Sequence, residues 1–327
     1  MTKDPDSNNI VKKSSDSNTV HVAVGVIKNK QNQFLISKRL NHLHQGGLWE
    51  FPGGKVEKNE SVYDALCREL DEELAIQVVK AEPLIKITHT YSDKSVLLDV
   101  WLVEEFTGSA TSQQQQPIKW VLSKDLSQYE FPAANQGIIS SLSLPPYYAI
   151  TGDFKDKEDF HERLQHCLQS GITLIQLRVK NSTEEELDEL LKLSIPLCKK
   201  FKAKLLVNTT VNIIKKYNID GIHLDSKNLL SCHRRPISKD KLLAASVHNV
   251  DELNQAMKIE VDFIVISPVL DTTSHPGANT LGWRELENLI SVSSIPVFAL
   301  GGMKRDLLSK AKQAGAQGIA AISEFWI

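Results

Sequence analysis

Short apolar stretches separated by polar turns open the chain, and this alternation is typical of strands. The segments VAVGVI (22–27) and FLIS (34–37) flank a polar turn at 28–33, which predicts a hairpin. A Gly/Pro-rich stretch at 46–54 predicts a loop. It leads into a segment at 61–74 with helical periodicity, so a helix is expected directly after the loop.

The next segments return to the strand pattern. ITHTY and VLLDVWLV predict two strands, and a third is expected at 118–122 after a glutamine-rich solvated loop at 113–116. A helix at about 134–142 ends before a pair of prolines. Because proline disfavours helical backbone in the residue before it, this pair predicts a domain boundary, with residues 144–147 as the linker.

Beyond the proline pair, strand and helix patterns alternate. The strand-like segments are YYAI, TLIQLR, KLLVN, DGIHL, LLAASV, DFIVIS, PVFALGG and GIAAIS. Amphipathic segments such as 183–201, 249–258 and 304–314 separate most of them. This order predicts an α/β protein whose second domain, 148–327, is a (β/α)8 TIM barrel with its functional residues at the strand carboxyl ends. An open doubly wound sheet is the alternative, but no GxGxxG turn supports dinucleotide binding.

Length and charge fit two ordinary globular domains. The 327 residues carry 38 Lys and Arg against 40 Asp and Glu, so no large basic field predicts binding to a nucleic-acid polymer, although a small nucleotide is allowed. The four cysteines have no CxxC spacing, which fits a reducing cytoplasm. Residues 1–19 are polar, predict a disordered tail and contain no membrane anchor. The composition leaves the oligomeric state open.

The first predicted helix carries carboxylates on one face. Glu69 lies three and four residues before Glu72 and Glu73, a spacing at which like charges repel by about 0.2–0.5 kcal/mol per pair. Oxygen ligands of this kind suit Mg2+ or Mn2+, whose charge offsets the repulsion and which binds phosphates. A solvated acidic surface paired with Arg68 is the alternative interpretation.

The wider spacing resembles the Nudix box of hydrolases that act on nucleoside diphosphates linked to another group. The match runs from Gly54 through Glu60 to Arg68-Glu69-Leu70-x-Glu72-Glu73 and departs only at Ala75, where the family has a glycine. The resemblance implies an α/β/α sandwich over residues 20–143, in which Mg2+ helps water attack a pyrophosphate. The metal ligands that it implies are Gly54, Glu69, Glu72 and Glu73, with Gly53 beside the substrate.

Further roles follow from the same resemblance. Lys55 is expected to contact a phosphate, and Glu69 is expected to be the general base. Arg68 and Glu60 are expected to pair and hold the loop against the helix. Close relatives can carry another glutamate before a Gln-Pro-x-x-Trp stretch, whereas this chain has glutamines at 113–116.

Several segments resemble the MutT group of Nudix hydrolases, the 8-oxo-dGTP diphosphatases. They are HVAVGVI, Ser37-Lys-Arg39, LWEFPGG at 48–54 and Phe131-Pro-Ala-Ala-Asn135. The resemblance implies that Asn135 reads the oxidised base, since an amide offers donors and an acceptor. It also places Arg39 against a phosphate and Phe51 in the substrate site. The alternative for Asn135 is a helix N-cap.

Residues 147–327 resemble the thiamine phosphate synthase and TenI family. The matching pieces include QLRVK, VN, DGIHL, SVH and GGM, in the order of the barrel strands. A thiamine-related phosphate is therefore expected in the barrel, cradled by backbone N–H groups near its last strands. The substrate-binding residues implied are Arg178, Lys180, Asn208, Gly301, Gly302 and Ser323.

Departures from the synthase pattern make full synthase activity doubtful. Thr209 and Asn228 stand where synthases carry magnesium-binding aspartates, and a Ser-His-Pro run at 274–276 replaces the expected lysine loop. His248 matches a histidine that TenI-like thiazole tautomerases use to move a proton. The alternatives are a histidine that only bonds its own loop, and a barrel that binds ligand without turnover.

The sequence thus predicts a Mg2+-dependent hydrolase of 8-oxo-dGTP joined to a thiamine-related barrel. The competing enzyme hypothesis is hydrolysis of a thiamine-pathway pyrophosphate. The competing non-enzymatic hypothesis is a module that senses such ligands.

Overall fold

The fold is described from a computed structural model. It covers residues 19–42, 44–179, 182–209, 212–272, 277 and 279–327. The predicted tail at 1–19, apart from Thr19, and the expected ligand Lys180 lie outside these residues, as does the run at 274–276. Within the described ranges, none of the helices is long and apolar enough to cross a membrane.

The first half folds into a mixed α/β unit. Two 3-10 turns, Ser123–Gln128 and Ala133–Asn135, precede its last helix. The strands and helices are β1 Thr19–Ile27, β2 Gln33–Lys38, β3 Trp49–Glu50, β4 Gly53–Lys55, α1 Val62–Leu74, β5 Gln77–Thr90, β6 Ser95–Thr107, β7 Ile118–Leu122 and α2 Gln136–Leu142.

Two sheets organise these strands. One has the order β4-β1-β6-β5 and the other the order β3-β2-β7. The predicted hairpin is confirmed only at its turn, since β1 and β2 lie in different sheets. The turn is closed by an antiparallel bridge between Lys28 and Phe34 and by a hydrogen bond from the N–H of Asn29 to the carbonyl of Gln33 at 3.0 Å. The predicted loop at 46–54 also contains β3 and the start of β4, because Gly53 and Gly54 pair with Val24 and Ala23 of β1.

Helix α1 begins and ends at identifiable residues. The Ser61 side chain accepts from the N–H of Asp64 and caps the first turn. Ala65, Leu66, Leu70 and Leu74 form the buried stripe that packs against β1 and β6, at the spacing of one helical face. The opposite face of the four-stranded sheet packs in a separate cluster that includes residues of α2. The expected sandwich is thus present, and α1 presents its carboxylates at the edge of this packing.

The second half is a closed barrel of parallel strands in the order β10-β11-β12-β13-β14-β15-β8-β9. The predicted TIM barrel is confirmed and the open sheet is excluded. Its elements are β8 Tyr147–Ile150, α3 Lys157–Gln169, β9 Leu174–Leu177, α4 Glu184–Lys200, β10 Lys204–Val207, α5 Asn212–Lys216, β11 Gly221–Leu224, α6 Ser226–Ser231, β12 Leu242–Val247, α7 Val250–Lys258, β13 Phe263–Ile266, α8 Gly282–Ile290, β14 Val297–Ala299, α9 Leu308–Gln313 and β15 Gly318–Ala321.

The barrel docks its amino-terminal end against the first unit. Lys86 and Thr88 of the edge strand β5 donate backbone hydrogen bonds to the carbonyls of Gly315 and Ser293, at 3.2 and 2.9 Å. Gly315 and Ser293 lie in the loops that precede β15 and β14. The barrel thereby occupies donors that an open sheet edge would expose.

The segment between the two units belongs structurally to the barrel. Leu144 is 8% exposed and joins the cluster inside the barrel. The amide nitrogen of the buried Gln317 donates to the carbonyls of Ser141 and Leu144, at 3.3 and 3.0 Å. Since β8 begins at Tyr147, the connection is packed rather than loose.

Candidate functional site

The carboxylates of α1 lie over the glycine loop that contains β4. The Gly53 N–H donates to Oε2 of Glu73 at 3.3 Å. A Cβ added to Gly54 would lie 2.1 Å from the carboxyl carbon of Glu69, so that carboxylate lies directly over Gly54. Gly53 has a φ of 145°, and a Cβ there would lie 2.1 Å from the backbone carbonyl oxygen of Ala23. Gly53 is therefore required by its close approach to β1.

Arg68 links the glycine loop to the acidic face. Its Nε and Nη2 donate to the two oxygens of Glu60, at 2.8 and 2.9 Å, which is the predicted structural pair. This hydrogen bonding lowers the pKa of Glu60 to about 2. Arg68 Nη1 also donates to Glu69 at 2.8 Å and lies 3.6 Å from Glu72. The pairing with Arg68 that the alternative interpretation predicted is thus present, but of the three carboxylates only Glu72 is exposed to solvent.

The pKa of Glu73 is raised to about 7. Burial is the main cause, followed by repulsion from Glu50, and the neighbouring Glu69 adds to it. Burial likewise raises the pKa of Glu50, although its ion pair with Arg39 opposes the shift. Glu50 is a site residue that the sequence reasoning did not single out. The sequence feature that could have identified Glu50 is its place between two aromatic residues in the segment LWEFPGG.

The residues predicted to hold a metal have suitable chemistry but are not assembled around one point. In the ranges that the structure describes, no group of three or more His, Cys, Asp or Glu side chains is placed to hold a metal ion. Glu72 is exposed, and Glu69 is engaged by Arg68. The crowding of acidic groups around Glu73 nevertheless fits a cation, because a positive charge there would offset the repulsion that raises the pKa of Glu73.

A buried amide lies at the other side of the glycine loop. Asn135 is 8% exposed, and the N–H of Phe51 donates to its Oδ1 at 3.5 Å. Asn135 stands at the N-cap position of α2, as the alternative predicted, but its side chain makes no capping hydrogen bond to that helix. The Phe51 ring stacks on Phe131 with centroids 5.7 Å apart. Tyr91, which was not predicted, accepts from the N–H of Ala134 at 3.4 Å and so holds the same loop.

The other residues predicted around the carboxylates of α1 are the phosphate contacts Arg39 and Lys55 and the glutamine run at 113–116. Arg39 pairs with Glu50, and its Nε donates to the carbonyl of His44 at 2.9 Å. Lys55 is exposed on β4. Residues 113–115 are exposed, as predicted for a solvated loop, whereas Gln116 is 9% exposed. The first backbone N–H of the run, at Gln113, donates to the Glu73 carbonyl at 2.9 Å.

The second site is a cavity of about 730 Å3 at the carboxyl ends of the barrel strands. The predicted ligands Arg178, Asn208, Gly301, Gly302 and Ser323 all line it, as does His248. Thr209 and Asn228, which stand where synthases carry magnesium-binding aspartates, do not line the cavity. Carboxylates that the sequence reasoning missed also line the cavity. They are Asp225, Asp271 and Glu324.

His248 is held from both sides of its ring. Its Nδ1 lies 2.9 Å from Oε2 of Glu252 and 3.1 Å from Oγ of Ser226, while Nε2 lies 3.5 Å from Oγ of Ser267. Glu252 was not predicted. The available signal was Asn249 followed three residues later by a glutamate, which marks a helix start.

A buried polar network forms the floor of the cavity. The Tyr148 hydroxyl accepts from Gln176 at 3.1 Å and lies 3.2 Å from Nδ1 of His223. His223 Nε2 lies 2.9 Å from Oγ of Ser246. Burial, with the nearby charge of Arg178, lowers the pKa of His223 to about 3, so the ring is neutral near pH 7. Polar residues within apolar strands were the sequence signal for this network.

The family comparisons agree with both halves of the fold. The family model described as thiamine monophosphate synthase matches residues 147–325, which is more than half of the chain, and the NUDIX domain model matches residues 23–141. The resemblances predicted from the sequence are therefore confirmed at the level of the two families. A Nudix domain supports a pyrophosphohydrolase, and the thiamine-phosphate synthase relatives support the assignment of the barrel.

Individual relatives match one half of the chain each. "Putative thiamine-phosphate synthase 2" of Aquifex aeolicus is 35% identical over 184 residues, which are 56% of this chain and 99% of that protein. The thiamine-phosphate synthase of Staphylococcus haemolyticus is 33% identical over 194 residues, 57% of this chain and 91% of that protein. A solved MutT structure, from work on Aliivibrio salmonicida and Vibrio cholerae, is 35% identical and covers 38% of this chain and 96% of its own, with a TM-score of 0.34. The solved structure of a thiamine phosphate pyrophosphorylase from Pyrococcus furiosus is 26% identical and covers 59% of this chain and 88% of its own, with a TM-score of 0.47.

Proposed function

The chain belongs to the thiamine monophosphate synthase family and carries a Nudix domain ahead of its barrel, and from this premise we propose that the Nudix domain hydrolyses 8-oxo-dGTP to 8-oxo-dGMP and pyrophosphate. The observation that carries the proposal is the buried amide of Asn135. Its Oδ1 accepts from the N–H of Phe51, two residues before Gly53, whose N–H donates to Glu73 of α1. A base edge at the amide would place the phosphates toward the acidic helix.

The proposed metal is Mg2+, held by Glu69, Glu72, Glu73 and the carbonyl of Gly54. When bound, it would polarise the pyrophosphate and lower the pKa of a water molecule. Glu69 and Glu72 must turn away from Arg68 for this, because Arg68 engages Glu69 and lies 3.6 Å from Glu72. Glu69 then receives the proton of the attacking water as general base.

The remaining polar groups orient the nucleotide. Asn135 offers its amide to the oxidised purine edge, and the stacked rings of Phe51 and Phe131 give the base an apolar neighbour. Arg39 and the exposed Lys55 contact the phosphates. Because Arg39 is paired with Glu50 in this structure, its guanidinium already lies beside the acidic face.

A substrate panel on the intact chain tests the proposal. We expect kcat/KM for 8-oxo-dGTP to exceed that for dGTP, thiamine diphosphate and the hydroxymethylpyrimidine pyrophosphate. A preference of tenfold or more for a thiamine compound, about 1.4 kcal/mol in transition-state binding, would replace 8-oxo-dGTP by the thiamine-pathway hypothesis. Full turnover in excess EDTA would exclude the metal.

Two variants localise the chemistry. Glu72→Gln should reduce hydrolysis by at least about 100-fold with the fold intact, because it removes a charged metal ligand. Asp71→Asn is the matched control: Asp71 is an exposed acid on the same helix, and no metal role is assigned to it. Asn135→Ala should lower the preference for 8-oxo-dGTP over dGTP by about tenfold. Unchanged turnover in Glu72→Gln, or unchanged preference in Asn135→Ala, would contradict the assigned role.

A second candidate function concerns the barrel. His248 lines the large cavity, with one ring nitrogen at a carboxylate and the other near Ser267, and this arrangement favours proton transfer on a bound phosphorylated thiazole. The reaction would be a tautomerisation. His248→Ala should abolish it in the intact chain. No activity in the parent protein, together with measurable binding of the thiazole phosphate, would favour the ligand-sensing alternative.

A further inference from the structure

A buried carboxylate contacts His248 at two points. Oε2 of Glu252 accepts from the backbone N–H of His248 at 2.7 Å and lies 2.9 Å from Nδ1 of its ring. Glu252 is 8% exposed and lies in the first turn of α7. A charge removed from water to this degree is costly unless it has hydrogen-bond partners. The backbone N–H of His248 is one such partner, and ring Nδ1 lies within hydrogen-bond distance of the same oxygen.

Capping of α7 does not require this carboxylate. The side chain of Asn249 already accepts from the N–H of Glu252 at 2.9 Å and satisfies the helix start. The Glu252 carboxylate instead extends back past the cap to the residue at the end of β12. Its position is therefore explained by His248 rather than by the helix.

The two ring nitrogens of His248 face different chemistry. A carboxylate can only accept a hydrogen bond, so Glu252 favours a proton on Nδ1. Ser226 Oγ, at 3.1 Å from Nδ1, can accept from that same proton, because a hydroxyl also acts as an acceptor. Nε2 lies 3.5 Å from Ser267 Oγ, and both His248 and Ser267 line the cavity.

We propose that Glu252 is a positioning residue that holds His248 with its proton on Nδ1 and leaves Nε2 free to accept a proton from a ligand in the cavity. For its effect on turnover the inference rests on the proposed tautomerase function, whereas the tautomer of the ring does not depend on that function. Nε2 takes a proton from one atom of the thiazole and returns it to another. The ring is positively charged in between, with its Nδ1–H still bonded to Glu252, so atoms and charge balance without a co-reactant.

Nitrogen-15 NMR of the intact chain, at a pH where the His248 ring is neutral, tests the tautomer without any ligand. We expect the parent protein to carry the proton on Nδ1. Glu252→Leu should shift it toward Nε2, because the acceptor-only carboxylate is lost and the Ser226 hydroxyl that remains at Nδ1 can donate as well as accept. Glu252→Gln should retain it on Nδ1, because a neutral acceptor remains. Asp251→Asn is the matched control, since Asp251 is an exposed acid in the same helical turn.

The proposal is overturned if the parent ring is protonated on Nε2, or if Glu252→Leu keeps the proton on Nδ1. If circular dichroism shows that Glu252→Leu does not fold, the nitrogen-15 spectra of the parent protein and of Glu252→Gln still test the proposal. A proton on Nε2 in Glu252→Gln would show that the neutral acceptor does not fix the ring and would contradict the stated mechanism.

Kinetics separate positioning from a purely structural role. With the thiazole phosphate, kcat should fall by at least roughly tenfold in Glu252→Leu and by less in Glu252→Gln, while KM stays within about twofold and Asp251→Asn matches the parent. A change confined to KM would overturn the positioning role. No turnover in the parent, with the expected tautomers, would support the positioning by Glu252 and refute the tautomerase function.

Discussion

Ala75 ends helix α1 in the left-handed region, at φ 54° and ψ 40°. This conformation costs a residue with a Cβ about 1–2 kcal/mol, whereas glycine adopts it freely. Glycine also makes the unfolded chain more flexible, which costs about 0.4–1 kcal/mol. We therefore expect Ala75→Gly to stabilise the end of α1 by about 0.5–1 kcal/mol, although it removes a methyl group.

Hydrogen exchange of peptides that cover residues 70–76 measures this effect locally. A gain of 0.5–1 kcal/mol corresponds to exchange that is slower by about two- to fivefold. The carbonyls of Glu73 and Leu74 already accept from Gln113 and Thr111, so the helix end is held in both proteins and the comparison isolates the backbone.

The pair Asp71→Ala and Asp71→Gly is the control for this prediction. Residue 71 lies within the helix, where glycine should be the less stable of the two by about 1 kcal/mol. The sign of the glycine effect should therefore reverse between positions 71 and 75. Faster exchange in Ala75→Gly would refute the reasoning from the left-handed conformation.

Three further predictions concern the site and the domain contact. Gly53→Ala should reduce hydrolysis by at least about 100-fold, because its Cβ would lie 2.1 Å from the backbone carbonyl oxygen of Ala23 and would displace the glycine loop. Kinetics at saturating Mg2+ measure the effect, and a near-normal kcat would contradict it. The pKa of Glu73 is about 7 in the folded protein, above its ordinary value of 4.5, so between these pH values the folded state binds a proton that the unfolded state has released. In EDTA, the free energy of unfolding should therefore fall as the pH rises from 4.5 to 7. Glu73→Gln should remove this pH dependence, as measured by urea unfolding at each pH. Gln317→Leu removes the side-chain donor from the buried carbonyl of Leu144, whereas the Ser141 carbonyl keeps the N–H of Leu144 at 3.1 Å. The variant should destabilise the chain by about 1–3 kcal/mol, measured by calorimetry as an earlier or split transition. An unchanged transition would contradict the prediction.

The elements of the barrel were predictable because each one repeats a local pattern. The four-residue strand YYAI and its later counterparts are mostly apolar, as expected for strands covered on both faces, and they appear where predicted. The two strands of the predicted hairpin do not pair along their length, because their partners come from distant parts of the chain. The turn at 28–33 was visible in the sequence, but the partners of β1 are β4 and β6, and β6 begins at Ser95, far along the chain.

The candidate sites likewise contain residues that local sequence spacing predicts and residues that only the folded chain brings into place. Glu69, Glu72 and Glu73 follow from spacing on one helix, which sequence gives directly. Glu50 contributes through burial and through its charge near Glu73, and neither is visible until the loop folds back. Glu252 lies only four residues after His248, yet its role depends on where its carboxylate turns.

The docking of the barrel has a consequence for access to its cavity. The cavity opens at the carboxyl ends of the strands, while the Nudix unit is attached through the loops before β14 and β15, at the opposite end. Among the described residues, the contact between the units therefore leaves the mouth of the cavity on the far side of the barrel. The shared chain fixes a one-to-one stoichiometry of the two units.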